Sequence, residues 1–299
     1  MKTLVYGALN IDLVYAVDSI VQPGETVSSS SLIKSAGGKG ANQAAALAKA
    51  GIETYIAGKT GYDGEFLLRL LESYGVHTEN VVLYEGPSGH AFIQIDKTGQ
   101  NSIILFAGGN GLVTPAEIDQ VLSSFEKGDL ALLQNEIANT DYIMERAKAC
   151  GMRIALNPSP WNEKAKTLPL TLADMLFVNE IEGAGLAGLK QRASAEKILN
   201  SLCSIFPETE IILTVGKEGA HYGFGKIRAR GNRGNRGKGV DVQVVDTTGA
   251  GDCFSGYFIA SRENGKSVQE SLDIACKAAS ITVSRKGAME SIPFWKEVF

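Results

Sequence analysis

The sequence predicts an α/β protein, a three-layer α/β/α sandwich with a mostly parallel central sheet and a small β-sheet lid, the whole of 1–299 forming one domain. Three observations point there. Short apolar runs of strand length alternate with amphipathic or alanine-rich segments of helix length along most of the chain. One stretch near residue 100 breaks that alternation with a hairpin pattern. Glycine clusters stand where strands give way to helices, as backbone that approaches a ligand requires. With 299 residues, 44% of them hydrophobic and 21% charged, the chain is long enough to bury a large core.

Taken in order, residues 3–8 form a buried first strand, and 12–33 read as exposed strands interrupted by the turn pair Pro23 and Gly24. The glycine-rich 36–40 opens an alanine-rich helix at 41–50, stopped by Gly51. An apolar strand at 54–57 precedes an amphipathic helix at 65–74, with Phe66, Leu67, Leu70 and Leu71 on one face. Runs 90–95 and 102–106 flank Lys97, Thr98, Gly99 and Gln100, an antiparallel hairpin. Together, 12–33 and 90–106 make the lid. Thr114, Pro115 and Glu117 supply N-cap, first-turn proline and capping-box acid for a helix ending near Gly128. Further strands are expected at 130–133, 153–156, 175–178, 210–215 and 242–245, with helices at 141–150, 193–206, 251–263 and 268–284.

Composition excludes several classes. The formal net charge of −4 gives no basic face for nucleic acid. The one basic stretch, 226–238 with Arg228, Arg230, Arg233 and Arg236, lies between strand-like runs and reads as a solvated hairpin tip. Cys150, Cys203, Cys253 and Cys276 form no CxxC pair, which argues against a disulfide framework or thiolate zinc site and for a reducing cytoplasm. No apolar run has membrane-spanning length, so no membrane partner is expected, and 1–17 carries Asn10 and Asp12 without a cleavage site.

Chemistry concentrates in residues 244–256, VVDTTGAGDCFSG. A strand is expected to end at Asp246, Gly249 and Gly251 permit a tight turn, and a helix begins near Asp252. Such a helix start aims free N–H groups and a positive dipole end at one point, beside a carboxylate able to accept a proton from a hydroxyl. Phosphoryl transfer needs little more than positioning and charge stabilisation of this kind. The same placement equally suits a carboxylate that merely complements a helix terminus. Phe254 occupies the third position of a would-be GxGxxG, which disfavours a dinucleotide dehydrogenase, and Lys39 is followed by Gly40 rather than the Ser or Thr of a P-loop. The second cluster, 36–42, sets Lys39 and Asn42 among Gly37, Gly38 and Gly40, donors suited to a polyhydroxylated ligand or to an ordinary turn. Asn10 and Asp12 follow the first strand, at the sheet edge where open α/β folds bind ligands. Cys253, next to Asp252, has no histidine at recognisable spacing and reads as inert.

The segments GGKGANQA at 37–44, DTTGAGD at 246–252 and RKGAMESIP at 285–293 together resemble the signatures of the ribokinase/pfkB-type carbohydrate kinases, the family that includes fructokinase and adenosine kinase. PGET at 23–26, LNPSP at 156–160 and NEIE at 179–182 fall where such enzymes carry similar pieces. The resemblance implies an ATP-dependent kinase that phosphorylates a primary sugar hydroxyl, with D-ribose giving ribose 5-phosphate, or with fructose, deoxyribose or a nucleoside as acceptor. It implies Asp252 as base, with the amides of Gly249, Ala250 and Gly251 as anion hole. Asn10, Asp12, Gly38, Lys39, Asn42 and Glu136 match sugar-holding positions. Asn179 and Glu182 match an NxxE motif tied to the nucleotide phosphates and Mg²⁺, with a polar helix start as the alternative. Thr214, Gly216, Lys217 and Gly219 match the loop along the nucleotide, and Cys276 falls near the adenine pocket. Asp246, Thr248, Thr282, Arg285, Gly287 and Ser291 match a monovalent cation site suited to K⁺. The lid would cover the sugar and supply a homodimer interface. The rival from another class is a silent sugar- or nucleotide-binding protein of the same fold.

Overall fold

The computed structural model describes residues 1–231 and 243–299. Strand β1 (Thr3–Tyr6) is wholly buried, as its apolar run requires. The chain then leaves the main sheet as β2 (Asn10–Ala16) and β3 (Ser31–Gly37) and returns through helix α1 (Lys39–Lys49). Strand β4 (Thr54–Gly61), helix α2 (Glu65–Ser73) and strand β5 (Val76–Tyr84) follow. The expected hairpin is β6 (Gly89–Ile95) and β7 (Asn101–Phe106).

Helix α3 (Pro115–Leu122) carries the capping box foreseen: Thr114 Oγ1 accepts from the Glu117 amide, and Glu117 accepts from the Thr114 amide. The regular alternation continues with β8 (Leu130–Gln134), α4 (Thr140–Ala149), β9 (Arg153–Asn157), β10 (Met175–Asn179), α5 (Glu180–Leu186), α6 (Ala195–Ile205) and β11 (Glu210–Thr214). It closes with the hairpin β12 (Ala220–Phe224) and β13 (Ile227–Gly231), then α7 (Ala250–Glu263), α8 (Val268–Val283) and the single turn α9 (Trp295–Val298).

Among the described residues, nine strands form the main sheet in the order β13-β12-β11-β10-β9-β8-β1-β4-β5. All neighbours from β11 to β5 pair in parallel, and only the hairpin at the β13 edge is antiparallel. Helices α1, α2, α7 and α8 pack on one face against Val5, Ile56, Leu132 and Phe177. Helices α3, α4 and α6 pack on the other against Leu4, Tyr6, Leu133 and Ile154. The three-layer expectation is met, and the lid is a separate sheet of order β3-β2-β6-β7. Because the chain leaves β1 toward β4 and later returns beside β1 as β8, the strand order reverses between β1 and β8. Residues 7–10 and 134–136 therefore flank the crevice where such sheets bind ligands.

Some expectations are corrected. The strand at 242–245 is absent where described: Val244 and Val245 are 55% and 57% exposed, and Val245 bonds only the last carbonyl of α8. Among the described residues, no strand of the sheet pairs with them. Val242 lies outside the described residues, as do 232–238 of the basic stretch; its first part, Ile227–Gly231, is strand β13 rather than hairpin tip. Helix α3 stops at Leu122, well short of Gly128. Strand β5 and helix α5 were not among the expected elements. The first is an edge strand rich in polar residues, and the second is only seven residues long.

Close approach of backbones explains two glycine positions. A Cβ on Gly40 would lie 2.5 Å from the carbonyl carbon of Gly7, so α1 can begin directly against the end of β1. Where α7 crosses α1, a Cβ on Gly256 would sit 2.5 Å from the Ala46 Cβ. Gly256→Val is therefore expected to destabilise the fold by about 1–3 kcal/mol through overpacking, measured by denaturant unfolding. An unchanged midpoint would mean that the helices separate freely.

Candidate active site

The turn before α7 is built by one side chain. Asp246 Oδ1 accepts from the amide and hydroxyl of Thr248, at 2.9 and 2.6 Å, and Oδ2 accepts from the Gly287 amide at 3.1 Å. Burial opposes ionisation of Asp246, but these donors and Lys286 outweigh it and hold its pKa below the ordinary range. The chain then enters α7 through Gly249 in the left-handed region, φ 73°. No side chain caps this helix. The Ala250 amide bonds the Thr247 carbonyl at 3.3 Å, whereas the amides of Gly249, Gly251 and Asp252 have no partner among the described residues. Of the expected trio, only the Ala250 amide is thus already engaged; those of Gly249 and Gly251 stay open, and the Asp252 amide joins them.

The Asp252 side chain is buried at the head of α7, where two amides from α1 meet it. Asn42 Nδ2 donates to Oδ2 and Gln43 Nε2 to Oδ1, both at 2.9 Å. Burial raises the Asp252 pKa to about 6, against the pull of Lys39 and these two donors. Lys39, the first residue of α1, is paired to Glu136: Nζ lies 2.8 Å from Oε1, and its backbone amide donates to Oε2 at 3.0 Å. Burial works against the Lys39 ammonium, yet Glu136 and Asp252 outweigh it and hold its pKa above the ordinary value.

On the lid side, Asp12 is pushed up to about 6 by burial and by Glu136, with Lys39 acting the other way. Its carboxylate fits only because Gly37 is bare: a Cβ there would lie 2.5 Å from the Asp12 carboxyl carbon. Gly38, at φ 93°, passes so close to the β1–β2 connection that a Cβ would lie 2.5 Å from the Ala8 carbonyl oxygen. Asn10 opens β2, and its Oδ1 accepts from Asn110 Nδ2 at 2.7 Å.

A cavity of about 500 Å³ begins at Lys39 and Asp252 and runs beneath the β10 and β11 ends. Its far part is lined by Thr214, Gly216, Gly219 and Cys276, among others. Asn179 and Glu182 also line it. They form a full capping box, with Asn179 Oδ1 accepting from the Ile181 and Glu182 amides and Glu182 Oε2 accepting from the Asn179 amide. The structural reading of this motif is therefore realised, and the carboxylate still faces the cavity region. Lys217 is exposed and does not line the cavity.

Asn10, Asp12, Gly38, Asn42 and Glu136 lie outside its lining; Glu136 adjoins it through Lys39 and Asn42 through Asp252. Asp246, Thr248 and Gly287 are joined by hydrogen bonds, and Arg285 bonds Glu297 at 2.8 Å. Thr282 and Ser291 are buried and spend their hydroxyls on the carbonyls of Ala278 and Ala288. Cys253 is buried, its thiol pushed up to about 12 by burial, which removes any nucleophilic character.

Sequence reasoning missed Gln43, Asn110 and Gln134. For two of them the signal lies in the folded chain. Gln43 is fully buried in an otherwise alanine-rich helix face, and Gln134 ends the apolar run LALLQ with no exposure.

A family model described as pfkB family carbohydrate kinase matches residues 2–295. A ribokinase of Staphylococcus aureus is 33% identical over 309 aligned residues, covering 99% of this chain and 98% of that protein. The solved ribokinase of Cryptococcus neoformans in complex with ADP superposes with a TM-score of 0.84 at 33% identity, covering 99% and 98% of the two chains. The Arabidopsis thaliana ribokinase complexed with ribose and ATP gives a TM-score of 0.84 at 29% identity, covering 99% and 97%.

Asp12 and Asp252 both bind a proton more tightly when folded than when unfolded. Between the ordinary carboxylate range and about pH 6, the native state holds more protons, so stability falls as pH rises through that window. Asp252→Asn should raise the thermal midpoint at pH 7.5, and the gain should shrink toward pH 4. Asn42 can turn its unpartnered Oδ1 to accept from the new amide. A gain independent of pH would contradict the buried-charge account.

Proposed function

We propose, because the chain belongs to the pfkB family of carbohydrate kinases, that it transfers the γ-phosphoryl group of ATP to the primary hydroxyl of D-ribose, giving ribose 5-phosphate. The observation that carries this reading is the convergence at one end of the cavity of the Asp252 carboxylate and the unpartnered amides of α7. Asp252, ionised above about pH 6, takes the proton of the attacking hydroxyl. The Gly251 and Asp252 amides and the α7 dipole stabilise the charge on the transferring group, and Lys39 adds a nearby cation. Asn10, Asp12, Gly38, Lys39, Asn42 and Glu136 hold the sugar. Asn42 suits this because its Nδ2 is spent on Asp252 and its buried Oδ1 has no partner, ready to accept from a hydroxyl. The nucleotide occupies the far part of the cavity, along Asn179, Glu182, Thr214, Gly216 and Gly219, with Cys276 as apolar wall. Lys217 fits the phosphates less well, since it stands outside the lining.

Mg²⁺ with ATP fits Glu182, whose Oε2 caps α5 while Oε1 has no hydrogen bond among the described residues, a donor compatible with an ion that keeps most of its waters. When bound, the ion neutralises phosphate charge. Asp246, Thr248 and the 285–287 turn offer hydroxyl, carboxylate and carbonyl oxygens, a hard donor set that fits K⁺; Thr282 and Ser291 complete the set through their backbone. The lid exposes Leu32, Ile103, Ile104, Leu105 and Phe106, which supports a homodimer through that sheet. No helix among the described residues is long and apolar enough to cross a membrane. The four cysteines form no disulfide, which supports a reducing, cytoplasmic location.

Asp252→Asn is expected to cut ribose-dependent ADP release by about 10²- to 10⁴-fold while ribose affinity, measured by calorimetry, changes little. Wild-type turnover in this variant would remove Asp252 from the mechanism. In a panel of ribose, fructose, deoxyribose and adenosine, ribose should give the highest kcat/KM. Ligand-induced stabilisation without ADP release would instead indicate a binding protein.

A further inference from the structure

Behind Asp252 stand two fully buried glutamines that the reaction as described does not use. Gln43 Nε2 donates to Asp252 Oδ1 at 2.9 Å, and Gln134 Nε2 donates to Gln43 Oε1 at 2.7 Å. We infer that Gln43 and Gln134 form a positioning relay, in which Gln134 at the end of β8 fixes the amide orientation of Gln43 so that its N–H always faces the Asp252 carboxylate. The inference rests on the reading of Asp252 as the base and goes beyond it to what aims that base.

The polarity of the row is forced from one end. An ionised carboxylate only accepts, so Gln43 must turn its NH₂ toward it, which leaves the Gln43 carbonyl needing a donor. Gln134 supplies that donor, and the mismatch is passed on to Gln134 Oε1, which is buried without a partner. A buried acceptor left unpaired is costly, and an apolar pair of similar volume would fill the same space without that cost. Two glutamines that merely satisfied each other would not end in an orphan. The row is arranged for the group at its head. Backbone packing fits the same purpose. A Cβ on Gly7 would collide with the Gln134 amide and approach the Gly40 Cα to 2.7 Å, so only bare backbone lets β8 reach α1 here.

With Asn42 on Oδ2 and Gln43 on Oδ1, each carboxylate oxygen is held by one amide, so the plane of the base is fixed and neither oxygen is free to rotate away. The charged and titratable groups around Asp252 are Lys39 from α1, Glu136 after β8 and the neutral thiol of Cys253 on α7 itself. Of these, Lys39 is paired to Glu136, so the amides supply the direct hydrogen bonds that favour ionised Asp252.

Two near-isosteric variants test the relay. Gln43→Glu sets a second carboxylate against Asp252. Its kcat for ribose should fall about tenfold or more, with both KM values within about threefold of wild type. The acid limb of its kcat profile should move up by about one pH unit or more. Gln134→Met leaves Asp252 untouched but frees Gln43 to turn, and should lower kcat by a smaller factor with the acid limb moving the same way. A variant that is less stable yet keeps wild-type kcat and acid limb would reduce the glutamines to packing and overturn the inference. Equal losses in ribose binding and kcat would overturn it as well. If Gln43→Glu fails to fold, the Gln134→Met profile decides alone. Asp252→Asn measured alongside separates the two readings. Retained turnover there sinks the base itself, whereas its loss combined with unchanged glutamine variants sinks only the relay.

Discussion

A carboxylate held in the interior between the starts of two helices is the constraint on which the rest of this structure turns. Asp252 sits on the first turn of α7, and its hydrogen bonds come from the first turn of α1. Neither helix can shift without breaking that join, because an ionised group stripped of its donors in a buried site is among the most expensive defects a protein can hold. The sheet must therefore deliver both helix starts to one place. It does so by reversing strand order between β1 and β8, so that the connections leaving those strands open onto the same crevice. Glycine makes the join close enough: Gly7 and Gly40 let α1 rest on β1, and Gly256 lets α7 cross α1 near Ala46.

The electrostatics follow from the same geometry. Three carboxylates, Asp12, Glu136 and Asp252, surround one ammonium, Lys39, so the cluster carries excess negative charge in a partly buried site. Burial in this arrangement raises the pKa values of Asp12 and Asp252, while the neighbouring carboxylates keep the lysine charged. It would be a poor way to stabilise a fold. It suits a site that must take a proton at one atom and receive phosphate at another, provided that amides and an ammonium stand where the phosphate arrives. The unpartnered Asn42 Oδ1 and Gln134 Oε1 lie in the same neighbourhood, whereas the apolar clusters on the two faces of the sheet are closely filled. Two of the buried polar atoms left unpartnered among the described residues thus stand where chemistry is proposed; the others belong to Thr3, Asn135 and Ser261.

How legible this was in the sequence depended on range. The capping box at Thr114 and Glu117 and the helix stop at Gly51 are local, and they were readable because each rests on residues within a turn of one another. The lid hairpin was equally readable from its glycine turn and flanking β-branched residues. The strand expected at 242–245 failed for the opposite reason. Two valines read as strand in isolation, but a strand needs a neighbour to pair with, and Val244 and Val245 have none among the described residues. At the site, glycines and an aspartate on a helix start announced themselves. Gln43 and Gln134 did not, because the partners lie 91 residues apart and no period or motif connects them. Their signal was burial of an amide, which only the folded chain reveals.

Helix α1 also carries a constraint at its other end, one that bears on how the C-terminal segment is placed. Lys49, in the last turn, is buried with its ammonium donating to the carbonyls of Met289 and Ile292 at 2.7 and 3.0 Å. It stands over the rings of Tyr74 and Phe294. Burial brings its pKa down to about 8, with Glu290 opposing that shift, so the ammonium persists at neutral pH because those carbonyls and rings replace its water. The segment it holds continues back to Gly287, whose amide bonds Asp246 at the turn into α7. One helix thus grips both flanks of the turn that feeds α7: Asn42 and Gln43 act on Asp252 at its start, and Lys49 acts on the 289–292 segment at its end. A single alanine-rich rod, straight and closely packed, can fix two points about two turns of helix apart with little play. That rigidity is what the buried carboxylate demands, and each polar residue that interrupts α1 has a partner: Lys39 on Glu136, Asn42 and Gln43 on Asp252, and Lys49 on the C-terminal segment.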